Sequence, residues 1–232
     1  MRAAFGLMAK PPRPGVSKTR LARVIGPEAA ARLARAFLLD SAALLAALAP
    51  RYAAPLTLFH SPADAGDEMA ALLPGWPLAP QPEGDLGARM EAAFDHLFAG
   101  GAPCALLVGT DAPTLPPALL ELVPAAVLGG ADAALIPALD GGYCAIALAR
   151  PLPELLRDMP WSQPGLLDAT RSRAEAAGLR LAVLPAWHDV DEAEDLAALR
   201  LSLDAAQPPG CAALPPFRAN HSRAALASLA GG

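Results

Sequence analysis

Lys10 and Lys18 are the only lysines in the chain, and both fall within Met8-Ala9-Lys10-Pro11-Pro12-Arg13-Pro14-Gly15-Val16-Ser17-Lys18-Thr19-Arg20-Leu21. Arginine carries the positive charge everywhere else. An ammonium is a compact point charge that a guanidinium fork does not replace at a tight phosphate site, so the pattern suggests phosphate binding. Arg13 and Arg20 bring the local count of cationic side chains to four. The segment follows the apolar run Ala3 to Met8, which reads as a buried first strand, and open α/β sheets bind ligands just past the carboxyl ends of such strands.

Carboxylates supply the second kind of chemistry. Asp111 stands directly after the apolar run Cys104 to Val108, where it can hold a hard divalent cation or shape the Asp-Ala-Pro loop as an Asx-turn. In Asp189-Val190-Asp191 the two carboxylates face the same way if the backbone is extended, so both can line one cavity. Asp191 is the favoured ligand and Asp189 the alternate, although Asp191 with Glu194 also fits a capping box. Gly84-Asp85-Leu86-Gly87, with Gln81 nearby, offers two thin backbone positions for a flat base or ribose, or an ordinary loop and cap. Asp140-Gly141-Gly142-Tyr143 reads as a hairpin turn or as part of an acceptor pocket. Trp161 stacks on a sugar or closes the core, and Ser162 resembles a helix N-cap. The four histidines share no ligand spacing and are expected to be structural or exposed.

The elements that must position these residues alternate in type. Strands are expected at 3–8, 55–59, 104–108, 133–136, 143–148 and 179–184, and helices at 27–48, 68–73, 87–98, up to 127, and 192–203. Such alternation predicts an α/β sheet with helices on both faces. Residues 1–205 form the expected domain, and the Pro/Gly-rich stretch 206–232 is expected to be a poorly ordered tail with one terminal helix turn.

Composition narrows the partners. The chain carries 18 basic against 23 acidic residues and is 54% hydrophobic. That balance leaves no general basic surface for nucleic acid or anionic lipid, so the basic first loop suits a small phosphorylated ligand. Asp40 interrupts the longest apolar helical stretch, which argues against membrane insertion, and no cleavable leader is evident; a cytoplasmic location is expected. Cys104, Cys144 and Cys211 share no metal spacing and are expected to be free thiols. Ser17 precedes Lys18 where a Walker loop needs glycine, and no G-x-G-x-x-G follows the first strand.

Together, Met8-Ala9-Lys10 with Lys18-Thr19-Arg20-Leu21, Gly84-Asp85-Leu86-Gly87-Ala88-Arg89-Met90, Gly109-Thr110-Asp111-Ala112-Pro113-Thr114-Leu115-Pro116, Asp140-Gly141-Gly142-Tyr143 and Asp189-Val190-Asp191 resemble the GT-A-fold nucleotide-diphospho-sugar transferase superfamily. The chain is most similar there to a bacterial family of largely uncharacterised transferases labelled arsenosugar-biosynthesis-type glycosyltransferases. It is more distantly similar to the guanylyltransferases of molybdenum-cofactor and phospholactate metabolism. The resemblance implies a three-layer α/β/α sandwich around a mixed, mainly parallel sheet. It implies that Lys10, Lys18 and Arg20 hold donor phosphates, that Gly84, Asp85 and Gly87 contact base or ribose, and that Asp111 with Asp191 binds Mg2+ or Mn2+. Lys18 and Asp111 would act most directly in the reaction. Asp140, Gly141, Gly142, Tyr143 and Trp161 would form the acceptor pocket. Cys144, Gln163 and Glu192 depart from the pattern, so acceptor identity does not follow. Glycosyl transfer from a nucleotide sugar to a small acceptor leads, nucleotidyl transfer from a nucleoside triphosphate follows, and a non-catalytic nucleotide-binding module is the alternative of another class.

Overall fold

Residues that alternate along a strand emerge on opposite faces of its sheet, and each face needs its own cover. In the computed structural model, which describes residues 3–163 and 165–229, β1 (Ala4–Ala9) sends Phe5, Leu7 and Ala9 into one core and Ala4 into another. The chain continues through α1 (Thr19–Ile25), α2 (Pro27–Tyr52), β2 (Leu56–His60), α3 (Gly66–Leu72) and β3 (Leu78–Pro80). Then come α4 (Leu86–Phe98), β4 (Ala105–Val108), α5 (Pro117–Leu128), β5 (Ala133–Pro137) and β6 (Tyr143–Leu148). α6 (Leu166–Ala176), β7 (Leu181–Val183), α7 (Asp195–Leu203) and α8 (Asn220–Leu229) complete it.

The seven strands lie in the order β3-β2-β1-β4-β6-β5-β7. β6 runs antiparallel to both β4 and β5, while the other pairings are parallel. This is the expected mixed, mainly parallel sheet between two helical layers. Leu38 and Leu45 of α2 and Leu119 and Val123 of α5 cover one face; Met90 and Phe94 of α4 and Ala174 of α6 cover the other. At Gly6 a Cβ would stand 2.5 Å from the Leu107 side chain and 2.7 Å from the Phe59 ring, so the middle of β1 has no room for a side chain.

α2 is longer than expected, and its most apolar window has a mean hydropathy of 1.5, enough by length and composition to cross a bilayer. Two-thirds of that window (67%) is buried within the fold, which makes it a core helix. Its buried Asp40 accepts hydrogen bonds from the His221 and Ser222 backbone N–H groups and from the Ser222 hydroxyl, at 3.1, 2.7 and 2.6 Å.

Those bonds correct the expectation of a poorly ordered tail. α8 is a ten-residue helix held at its N-terminus by Asp40, and Leu226 and Ala219 join Leu21, Leu33, Phe37, Val190 and Leu196 in a third apolar cluster. Local composition could not reveal this, because the capping carboxylate lies about 180 residues upstream. Two further expectations shift. The helix expected behind Ser162 begins at Leu166, with Ser162 in a left-handed turn (φ 59°). The last long helix begins at Asp195 instead of Glu192. The three cysteines are free and buried; burial pushes the Cys104 thiol up to about 12.

Candidate functional site

Past the carboxyl ends of β1 and β4 opens a cleft of about 580 Å³. The loop after β1 is shaped by its own bonds: the Ser17 hydroxyl donates to Pro11 O at 2.5 Å, and Ser17 N–H to Arg13 O at 3.2 Å. With the prolines restricting φ, this compact loop aims Lys10, Lys18 and Arg20 at the cleft. Arg13 does not join them, because its guanidinium pairs with Glu68 of α3 at 2.7 Å. Arg20 is exposed and also reaches Glu192 at 3.4 Å.

Lys18 occupies the centre. It precedes α1 in the left-handed conformation (φ 51°, ψ 47°), and its side chain is only 7% exposed. The ammonium pairs with Asp111 and, at 2.7 Å, with Asp191 Oδ1. The Phe37 ring centroid lies 5.7 Å away. Burial by itself would favour the neutral amine, but the two carboxylates outweigh it and raise the ammonium above its ordinary range. Asp111 thus does more than shape its loop. Its carboxylate holds Lys18, and its backbone carbonyl accepts the Val190 N–H at 2.9 Å, tying the loop after β4 to the one after β7.

The capping expected of Asp191 with Glu194 is done by Asp195. Asp195 Oδ2 accepts the N–H groups of Asp191 and Glu192, each at 2.8 Å, so the turn before α7 is held from within the helix. Asp191's carboxylate is left for the cleft. The ligand atoms of Asp140, Asp189 and Asp191 lie within 4.8 Å of one another, a set of hard oxygen donors. Burial, with Asp140 and Asp191 adding repulsion, pushes the Asp189 carboxyl up to about 7. Asp111 and Asp191, the pair implied for the metal, meet through Lys18, and the three-carboxylate group instead draws in Asp140 from the β5–β6 turn.

Beneath this group His188 Nε2 lies 3.0 Å from Thr114 Oγ1 and 2.8 Å from Ser202 Oγ, while Trp187 Nε1 donates to Thr114 Oγ1 at 3.2 Å. Burial lowers the imidazole's proton affinity, and the ring's bonds tie the Asp111 loop, the Asp189 loop and α7 together. No sequence spacing pointed to it.

The two glycines and Asp85 of the segment before α4 do not line the cleft, whereas Leu86, Arg89 and Met90 do. Asp85 is the N-cap of α4, accepting Ala88 N–H at 2.8 Å. Arg89 is the cleft residue that sequence reasoning passed over; its guanidinium donates to Gly84 O at 3.1 Å and Ser61 Oγ at 3.3 Å. Its only sequence signal was its place in the Gly-Asp-Leu-Gly-Ala-Arg-Met segment.

On the far side, Asp140-Gly141-Gly142 is the β5–β6 hairpin turn, with Gly142 N–H donating to Asp140 Oδ1 at 2.8 Å and Gly141 at φ 95°. Asp140, Gly142, Tyr143 and Trp161 line the cleft; Gly141 does not. The Tyr143 and Trp161 rings meet edge to face at 6.0 Å and 87°. Because the Thr170 hydroxyl donates to Leu166 O at 2.8 Å, the Tyr143 hydroxyl donates to Thr170. Trp161 Nε1 donates to Leu156 O at 3.2 Å. Both polar tips are satisfied by protein, which leaves the rings as an apolar wall.

Residues 44–163 match the family model described as uncharacterized protein conserved in bacteria, DUF2064. A crystal structure from Desulfovibrio desulfuricans G20, provisionally described as a nucleotide-diphospho-sugar transferase, is 30% identical, with a TM-score of 0.83, over 100% of this chain and 98% of that one. Two more distant structures share the fold. The 4-diphosphocytidyl-2C-methyl-D-erythritol synthase of Anaerococcus prevotii DSM 20548 is 9% identical, with a TM-score of 0.56, over 87% of this chain and 99% of that one. The CMP:2-keto-3-deoxy-manno-octonic acid synthetase complexed with CTP is 11% identical, with a TM-score of 0.53, over 88% and 99%. No curated protein matches the sequence.

Proposed function

Because the chain belongs to the bacterial family DUF2064 and to the wider nucleotide-diphospho-sugar transferase superfamily, we propose that it is a divalent-metal-dependent transferase using a nucleotide-activated donor. Its leading reaction is glycosyl transfer from a nucleotide sugar to a small acceptor in the cytoplasm. The observation that carries this reading is the convergence of Lys18 with Asp111 and Asp191, from loops after three different strands, in one open cleft.

Each residue then has a physical task. Lys10, Lys18 and Arg20 hold the donor phosphates as charge builds on the leaving group. Asp140, Asp189 and Asp191 fit Mg2+ or Mn2+ because they offer closely spaced carboxylate oxygens, and Asp111 adds a fourth carboxylate beside them. When bound, the cation supplies further electrostatic stabilisation of the departing phosphate. Leu86, Arg89 and Met90 bound the donor side, with Gly84, Asp85 and Gly87 fixing the start of α4 behind any base contact. Tyr143 and Trp161 hold the acceptor against an apolar wall and keep water from competing with it.

Nucleotidyl transfer from a nucleoside triphosphate is the second reading, favoured by the CTP complex among the structures that share the fold. The same phosphate and cation sites would serve departing pyrophosphate. A thermal-shift screen of nucleotides and nucleotide sugars, with and without Mn2+, tests the common core, since a ligand bound only by the folded state raises its stability. A manganese-dependent rise that Asp191→Asn removes is the expected result. No shift from any nucleotide sinks both readings, and binding without donor consumption leaves a nucleotide-binding module.

A further inference from the structure

The site already contains a cation. Lys18 Nζ, on a side chain only 7% exposed, is shared by Asp111 and Asp191 and backed by the Phe37 ring. Asp191 is also one of the three carboxylates that fit a divalent ion. We propose that Lys18 is the resident cation of this site, that it excludes a free divalent ion, and that the ligand taken is a divalent ion together with a polyphosphate. The inference rests on the nucleotide-dependent reading above and specifies what that site accepts.

A divalent ion held by Asp140, Asp189 and Asp191 would face the Lys18 ammonium at close range and would take Asp191 from it, leaving Asp111 as its one counter-charge. Halving the anionic partners of a buried ammonium while a second cation approaches it is costly, so metal entry by itself is opposed. A polyphosphate entering alone meets the acidic side chains of Asp111, Asp140, Asp189 and Asp191 with a single buried ammonium among them. Entering together, the two exchange partners: the divalent ion takes the carboxylates, and a phosphate oxygen takes the ammonium. Lys10 and Arg20, both facing the cleft from the same loop, accept the remaining phosphate charge. The consequence is positive coupling between metal and polyphosphate, centred on Lys18 and reciprocal between the two ligands.

The test measures Mn2+ binding to the intact chain by the loss of free-ion electron paramagnetic resonance signal. Methylenediphosphonate serves as a non-hydrolysable, base-independent polyphosphate, with its own Mn2+ affinity measured separately. For the unaltered chain, Mn2+ is expected to bind at least roughly tenfold more tightly with the diphosphonate than without it. Lys18→Met is expected to bind Mn2+ alone at least roughly tenfold more tightly than the unaltered chain and to lose the coupling. Equal Mn2+ affinity of the unaltered chain with and without diphosphonate overturns the proposal, and needs no variant to fold. Unchanged Mn2+ affinity in folded Lys18→Met overturns the assignment to Lys18. Absence of Mn2+ binding under every condition overturns the metal-dependent reading itself, which separates that failure from failure of the coupling alone.

Discussion

Lys18 and Asp189 show how far one side chain's surroundings dictate its use. Lys18→Arg keeps the charge, but a planar guanidinium cannot fit where a nearly enclosed ammonium touches Asp111 and Asp191. The expected loss in donor kcat/KM is at least about tenfold, or about 1.4 kcal/mol of transition-state stabilisation, with a smaller loss for exposed Lys10→Arg. Full turnover by Lys18→Arg would pass the phosphate role to Lys10 and Arg20. At Asp189 the folded chain keeps a proton up to about pH 7, whereas the unfolded carboxyl releases it near its ordinary 3.8. Stability therefore falls as pH rises through that window, and the penalty is fully present above pH 7. Asp189→Asn should melt higher than the unaltered chain at pH 8 in chelator, with the gap narrowing toward pH 5 and no stabilisation by Mn2+ with nucleotide. A gap that does not change with pH would show that the buried charge is not its cause.

At the scale of elements, α4 fits closely against the segment carrying Trp161. A Cβ on Gly87 would stand 2.1 Å from Leu156 O and 2.6 Å from Trp161 Nε1. Gly87→Ala should lower unfolding free energy by about 1–3 kcal/mol, read from urea midpoints, and should disturb Trp161 fluorescence. Unchanged stability and fluorescence would show that the loop yields at little cost. The sequence displayed this glycine but not its neighbour, since Leu156 lies nearly seventy residues downstream. The same distinction separates what was legible from what was not. Continuous apolar runs such as Leu106-Leu107-Val108 announce buried strands, and Gly-Asp-Leu-Gly announces a capped helix start. The seven-residue α1 and three-residue β3 are too short to show a period. Asp195 as the stay of the Asp191 turn, and Asp140 beside Asp189, depend on which loops the sheet order brings together.

At the scale of the whole molecule, the likeness to the Desulfovibrio structure runs over 100% of the chain, α8 included. α8 closes the apolar cluster containing Leu21 and Val190, each within three residues of a side chain of the carboxylate–lysine group, and its N-terminus satisfies buried Asp40. Ending the chain after Gln207 should expose that cluster and strip the carboxylate of its donors, at a cost on the order of 3 kcal/mol or more. Calorimetry on the truncated chain checks it; an unchanged melting temperature would make α8 an appendage. Phosphorus-31 NMR of the intact chain with nucleotide sugars, nucleoside triphosphates, Mg2+ and a broad panel of small hydroxylic acceptors follows where the donor phosphates go. Growth of a nucleoside diphosphate resonance, dependent on acceptor and metal and abolished by Asp191→Asn, is the predicted result. Growth of pyrophosphate instead would move the assignment to nucleotidyl transfer. Donor resonances that stay constant throughout the panel, with the protein folded and the metal present, would contradict the claim that this chain is a transferase.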